Sequence, residues 1–65
     1  MIILGLDPGI ARTGYGILNT SSPSLFIQCG CLTTLPEQPL PQRLLSLAND
    51  LKTIIHEFSP AAAAI

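Results

Sequence analysis

Positive charge is nearly missing from this sequence: Arg12, Arg43 and Lys52 are its only Lys or Arg side chains, and the formal net charge is −1. Phosphate backbones are held by clustered Lys and Arg. The segment by itself is therefore excluded as a free-standing nucleic-acid binder, and any such surface must lie mostly outside it. Cysteine is limited to Cys29 and Cys31, and a C-x-C pair with no further Cys and no nearby His falls short of a zinc ligand set. On a strand the two point to one face, and free Cys is among the most buried residue types, so a pair of buried thiols in a reducing compartment is expected. The amino terminus has no cationic stretch ahead of its apolar run, which Asp7 interrupts after six residues, so it does not read as a secretory signal. Nor does any stretch approach the roughly 18 apolar residues of a membrane span. The expectation is a soluble, cytoplasmic chain with no membrane partner.

Apolar residues are what the chain has in quantity. They make up 48% of its 65 residues against 11% charged, with a mean hydropathy of +0.51. A chain this short buries only about 60% of the surface its unfolded form exposes, so such a composition suits an interior piece of something larger. Residues 1–65 are read as the amino-terminal portion of one domain, with no second domain.

The order of elements follows from periodicity and punctuation. Ile2 to Leu6 is a continuous apolar run stopped by Asp7-Pro8-Gly9, which suits a strand buried on both faces and ended by a tight turn. Thr13 to Leu18 and Leu25 to Thr33 are two further strands, separated by the polar turn Asn19 to Pro23. Connections this short make them antiparallel neighbours in a three-stranded meander. Three prolines between Pro36 and Pro41 then end the sheet, since each removes a backbone donor and fixes φ. Leu40, Leu44, Leu47, Leu51, Ile54, Ile55 and Phe58 recur at helical spacing, tracing one face of a helix over Pro41 to Phe58. Asp50, Lys52 and Glu57 fall on its polar side, and His56 sits near its carbonyl end, where a cation is favoured. Ser59-Pro60 stops the helix, and Ala61 to Ile65 reads as the start of a fourth strand, small side chains suiting the middle of a sheet.

Asp7 is the residue to explain. A carboxylate at the end of an apolar strand costs free energy unless it is paired, hydrogen-bonded or bound to a metal. Asp-Pro-Gly is also ordinary turn chemistry, with Asp accepting backbone hydrogen bonds, and on those three residues alone that simpler role suffices.

The longer run is more specific. Ile3-Leu4-Gly5-Leu6 followed by Asp7-Pro8-Gly9-Ile10-Ala11-Arg12-Thr13-Gly14-Tyr15-Gly16 resembles the amino-terminal signature of the RuvC family, an aliphatic strand leading into Asp-Pro-Gly, a short loop and Thr-Gly-Tyr-Gly. Gly30-Cys31-Leu32-Thr33-Thr34 is similar to that family's third-strand segment, and Leu40-Pro41-Gln42-Arg43-Leu44 to the start of its first helix. The resemblance spans the whole chain. It implies an α/β, RNase H-like fold, of which this is the N-terminal part, in a nuclease domain that works as a homodimer. It further implies a crossover junction endodeoxyribonuclease that cuts four-way (Holliday) junction DNA in recombination and repair with Mg²⁺, alongside branch-migration helicase machinery. Asp7 matches the first catalytic, metal-binding carboxylate. Two metal ions about 3.5–4 Å apart activate the water and stabilise the leaving oxygen in such sites, and Mg²⁺ takes oxygen ligands, so one carboxylate cannot suffice. In the family a Glu at the end of the fourth strand and an acidic pair on a carboxy-terminal helix complete the set. Asp50 and Glu57, on the solvated side of the helix, do not stand in for them.

Other residues carry smaller expectations. Arg12, in the loop beside Asp7, is a candidate for touching a substrate phosphate, although a loop Arg is also simply solvated. Tyr15 reads as a packed aromatic with its hydroxyl hydrogen-bonded. Gly9, Gly14 and Gly16 read as sites of tight turn and close backbone approach. Departures from the family pattern lie in the loop, where Ile10 replaces a small hydroxyl residue. Three other readings stay open: an actin-like ATPase or sugar kinase, whose first strand also ends in Asp-x-Gly; a YqgF-like nuclease; and a non-catalytic module in which sheet and helix survive without chemistry.

Overall fold

The computed structural model describes residues 1–21, 23 and 25–65. Strand β1 (Ile2–Asp7) is followed by β2 (Arg12–Asn19), β3 (Phe26–Thr33), helix α1 (Leu40–Phe58) and strand β4 (Ala62–Ala64). The sheet order is β3-β2-β1-β4. The first three strands form the expected antiparallel meander, and β4 lies parallel to β1 on its other side. The expected elements are all present, with ends displaced by one residue at most sites: β1 runs on through Asp7, β2 begins at Arg12, and α1 begins at Leu40. The expected turn from Asn19 to Pro23 includes Ser22, which lies outside the described residues.

Period-two alternation assigns the two faces of the sheet. Leu4 pairs with Ile17 and Leu6 with Tyr15 across β1 and β2; these side chains meet α1. Leu4, Ile17 and Ile54 are buried, with Ile2, Leu6, Tyr15, Leu32, Leu51 and Phe58 packed around them. Pro39 is the helix N-cap, and prolines suit the first turn because the missing N–H has no partner there. At the other end Ser59 adopts a left-handed conformation (φ 46°, ψ 56°), and its N–H donates to the Ile55 carbonyl at 2.8 Å. Two residues later the Ala61 N–H donates to the Ile2 carbonyl at 2.9 Å. The αL cap thus turns the chain off the helix and onto the edge of β1.

Three expectations about packing are corrected. Strand β1 is not buried on both faces: Leu4 is 1% exposed, but Ile3 and Gly5, facing away from α1, are only half-buried. Cys29 and Cys31 are both exposed free thiols. They lie on the edge strand β3 and face away from α1, and no second layer covers that side among the described residues. The apolar stripe of α1 is covered from Leu47 onward, at Leu47, Leu51, Ile54 and Phe58, leaving Leu40, Leu44 and Ile55 exposed; Ile55 is adjacent to the buried Ile54, so 100° per residue turns it away from the sheet.

The accessible surface is 4438 Å² for 6.9 kDa, against roughly 4,000 Å² for a compact monomer of that mass. Large apolar side chains are part of that surface: Leu25, Phe26 and Ile27, around the start of β3 and opposite a bulge between Ile17 and Leu18, are all exposed. Edge strands of this kind template association. The 65-residue chain on its own is expected to self-associate at micromolar concentration; a monodisperse monomer by sedimentation velocity would contradict this. Among the described residues no helix is long and apolar enough to cross a membrane.

Candidate functional site

The face of the sheet turned away from α1 carries Asp7. In register, Asp7 pairs with Gly14 and Gly14 with Cys31, while in the next row Ala64 pairs with Gly5, Gly5 with Gly16, and Gly16 with Cys29. The carboxylate therefore rises from a floor of glycine, alanine and cysteine at the end of a central strand. A Cβ built on Gly14 would come to 3.7 Å from the Asp7 Cβ, an ordinary contact, so glycine there serves to keep the floor low rather than to relieve a clash. Gly16 has nothing within 4 Å of an added Cβ, which corrects the expectation of close backbone approach at that position. Gly9 does need to be glycine, because an added Cβ would stand 2.6 Å from the Arg12 carbonyl oxygen.

Asp7 is exposed, and no side-chain hydrogen bond or ion pair holds it among the described residues. The simpler role, in which the carboxylate caps its own turn, is therefore not the one adopted. Thr13 performs that task instead: its hydroxyl donates to the Gly9 carbonyl at 2.8 Å and accepts from the Gly9 N–H at 3.2 Å. A carboxylate with no partner among the described residues offers hard oxygen ligands suited to Mg²⁺. It is a single ligand, since among the described residues no three His, Cys, Asp or Glu side chains come together.

Arg12 is on β2 rather than in a loop. Its Nε–H donates to Cys31 Sγ at 3.3 Å, and this bond, with the attraction of the thiol sulfur, raises the guanidinium above its ordinary value. Nε is occupied, and among the described residues nothing bonds the two terminal nitrogens, whose N–H groups suit a planar, paired contact with an anion. Asp50 and Glu57 lie exposed on α1, on the other side of the sheet from Asp7, as anticipated. His56 is in the last turn of α1. Tyr15 is half-buried, and its hydroxyl accepts from Gln28 Nε2 at 2.9 Å.

Sequence reasoning gave no role to Gly30, Thr34 or Arg43. Gly30 lies under the Tyr15 ring, where an added Cβ would be 2.9 Å from ring atoms. Its signal was the pairing of a strand glycine with an aromatic, visible only once register is known. Thr34 donates through its hydroxyl to the Ile10 carbonyl at 2.7 Å and accepts from Arg43 Nε at 2.9 Å. A shallow apolar groove bordered by Pro8, Ile10, Thr13, Leu44 and Leu47 lies on the helix side of the same turn and holds no titratable group.

Comparison with known proteins is consistent along the chain. The family profile described as crossover junction endodeoxyribonuclease RuvC matches residues 3–65. The RuvC protein of Prochlorococcus marinus (strain NATL2A) is 41% identical over 66 residues, covering 100% of this chain and 43% of the relative. That of Roseiflexus sp. (strain RS-1) is 44% identical over 63 residues, covering 95% of this chain and 38% of the relative. Among solved structures, T. thermophilus RuvC in complex with Holliday junction substrate superposes with a TM-score of 0.87 at 25% identity, over 97% of this chain and 40% of that one. The chain thus spans about two fifths of the length of the proteins it matches.

Proposed function

The chain belongs to the RuvC family, and from that premise we propose that it is the amino-terminal portion of a nuclease domain that cuts four-way junction DNA with the help of divalent metal. Its four strands and single helix are the corresponding part of an RNase H-like fold. The observation that carries the reading is Asp7: a carboxylate with no partner among the described residues, at the end of a central strand and level with Gly14 on an exposed face of the sheet.

Asp7 holds one side of a Mg²⁺ site. The metal, when bound, supplies charge neutralisation at the phosphate and a more acidic water. The remaining work assigned to this segment is positional. Gly5, Gly14 and Gly16 keep bulk away from the carboxylate, and Arg12, five residues after Asp7 on the same face, reaches a phosphate oxygen through its free terminal nitrogens. With one carboxylate, the 65-residue chain alone is inactive. In the complete protein the partners are junction DNA, a second copy of the chain and branch-migration machinery, in a cytoplasmic setting.

The test is cleavage of a synthetic four-way junction against a linear duplex of the same sequences by the full-length gene product in Mg²⁺. Junction-selective cutting is expected, and cleavage of neither, or of both equally, would refute the reading. In the same system Arg12→Gln is expected to weaken junction binding and to lower the slope of log affinity against log salt by about 0.9, the amount for one lost phosphate contact. An unchanged slope would remove Arg12 from the interface.

A further inference from the structure

We infer that Thr34, held by Arg43, is a positioning residue for Asp7, a clamp that fastens the turn following the carboxylate to helix α1. This inference rests on the nuclease reading above. The turn over residues 8–11 leaves β1 directly after Asp7, so its path sets the strand end from which the carboxylate projects. Thr34 grips that turn at two successive carbonyls: its hydroxyl donates to the Ile10 oxygen at 2.7 Å, and its backbone N–H donates to the Ala11 oxygen at 3.2 Å. Arg43, half-buried in the first turns of α1, donates from Nε to Thr34 Oγ1 at 2.9 Å.

The direction of these bonds is forced. A guanidinium has donors only, and a hydroxyl has one hydrogen. Arg43 therefore makes Thr34 Oγ1 an acceptor on one side and leaves its hydrogen for Ile10 on the other. Thr13, at the start of β2, ties Gly9 by two further bonds. The end of β3, the start of α1 and the β1–β2 turn are joined at one hydroxyl group, and one of the few cations in the chain is spent inside the fold. Metal sites demand placement of their ligands to about half an ångström, and loss of outer supports typically costs 10–100-fold in metal affinity or activity.

The test uses the full-length gene product and a Mg²⁺ titration of junction cleavage. Thr34→Val keeps the shape and removes the hydroxyl; it is expected to raise the Mg²⁺ concentration for half-maximal cleavage about tenfold. Thr34→Ser, which restores the hydroxyl, is expected to lie within about twofold of the parent, as a purely steric role for the side chain would not predict. Arg43→Met and Arg43→Lys repeat the comparison from the donor side and answer the question if Thr34→Val does not fold. Asp7→Asn is run alongside. If Asp7→Asn is inactive while Thr34→Val and Arg43→Met keep the parental Mg²⁺ dependence, the clamp is overturned and the nuclease reading stands. If Asp7→Asn cleaves like the parent, Asp7 is not a metal ligand and the clamp fails with it; if the parent itself cuts no junction, it is the nuclease reading that fails.

Discussion

Asp7→Asn in the full-length gene product is expected to lower the rate of junction cleavage by at least about a thousandfold while leaving junction affinity within about threefold. The magnitude follows from what a metal-held phosphate gains in the transition state, several kcal/mol, with each ~1.4 kcal/mol a factor of ten in rate. Asparagine has the same shape as aspartate and fits the same turn, but a neutral amide is a poor ligand for Mg²⁺. Since the Asp7 side chain is exposed and no side chain bonds to it among the described residues, its replacement removes no folded-state contact, and surface changes of this kind usually stay within about ±0.5 kcal/mol. On the proposed function, loss of the Asp7 negative charge favours DNA binding slightly. The check is single-turnover cleavage together with gel-shift affinity in Ca²⁺ or without metal. A variant retaining a tenth or more of the parental rate would remove Asp7 from the metal site.

The second large effect is on stability. Leu4 and Ile17, paired on adjacent strands, are 1% and 0% exposed, and with Ile54 they are the buried hydrophobic residues among those described. Leu4→Ala is expected to cost about 2–5 kcal/mol, the range for emptying a core leucine site that cannot fully collapse. A chain of about 150 residues, the length implied by 43% coverage of the Prochlorococcus relative, shifts its Tm by about 2–4 °C per kcal/mol. The expected fall is therefore roughly 4–20 °C. Leu18→Ala, one residue from Ile17 but 40% exposed on the opposite face, is the control and should cost far less in this chain. Equal losses at the two sites would mean that the open face is covered as closely as the helix-packed one in the complete protein.

The contrast between Leu4 and Cys31 separates what was legible early from what was not. The β1 run, the turn at Asp7-Pro8-Gly9 and the period of α1 are local patterns, and each formed where its residues imply. Burial is not local. Leu4 is covered because α1 crosses its side of the sheet, whereas Cys31, also on a strand and of a residue type usually buried, faces the side that no layer covers among the described residues. The stripe on α1 was legible as a face, but its sequence did not say that only the half carrying Leu51, Ile54 and Phe58 meets the sheet. At the site, Asp7 was singled out as a candidate from the cost of a charge at an apolar strand end and from the motif around it. The Thr34 clamp was not, because a threonine after a strand and an arginine in a first helical turn are common, and their chemistry appears only when β3, α1 and the turn converge.

By itself the amino-acid sequence determined the order of elements and the family and made Asp7 the candidate, since these depend on periodicity, turn residues and a contiguous motif. Tertiary structure decided which face of the sheet is open, that Asp7 shares it with Gly14, Gly16, Arg12 and Cys31, and that Thr34 and Arg43 grip the turn behind it. Those are consequences of register and layer packing, which bring together residues tens of positions apart. Strand alternation turns a shift of one residue into a change of face, so the surroundings of the carboxylate follow from pairing and not from any stretch of sequence read alone.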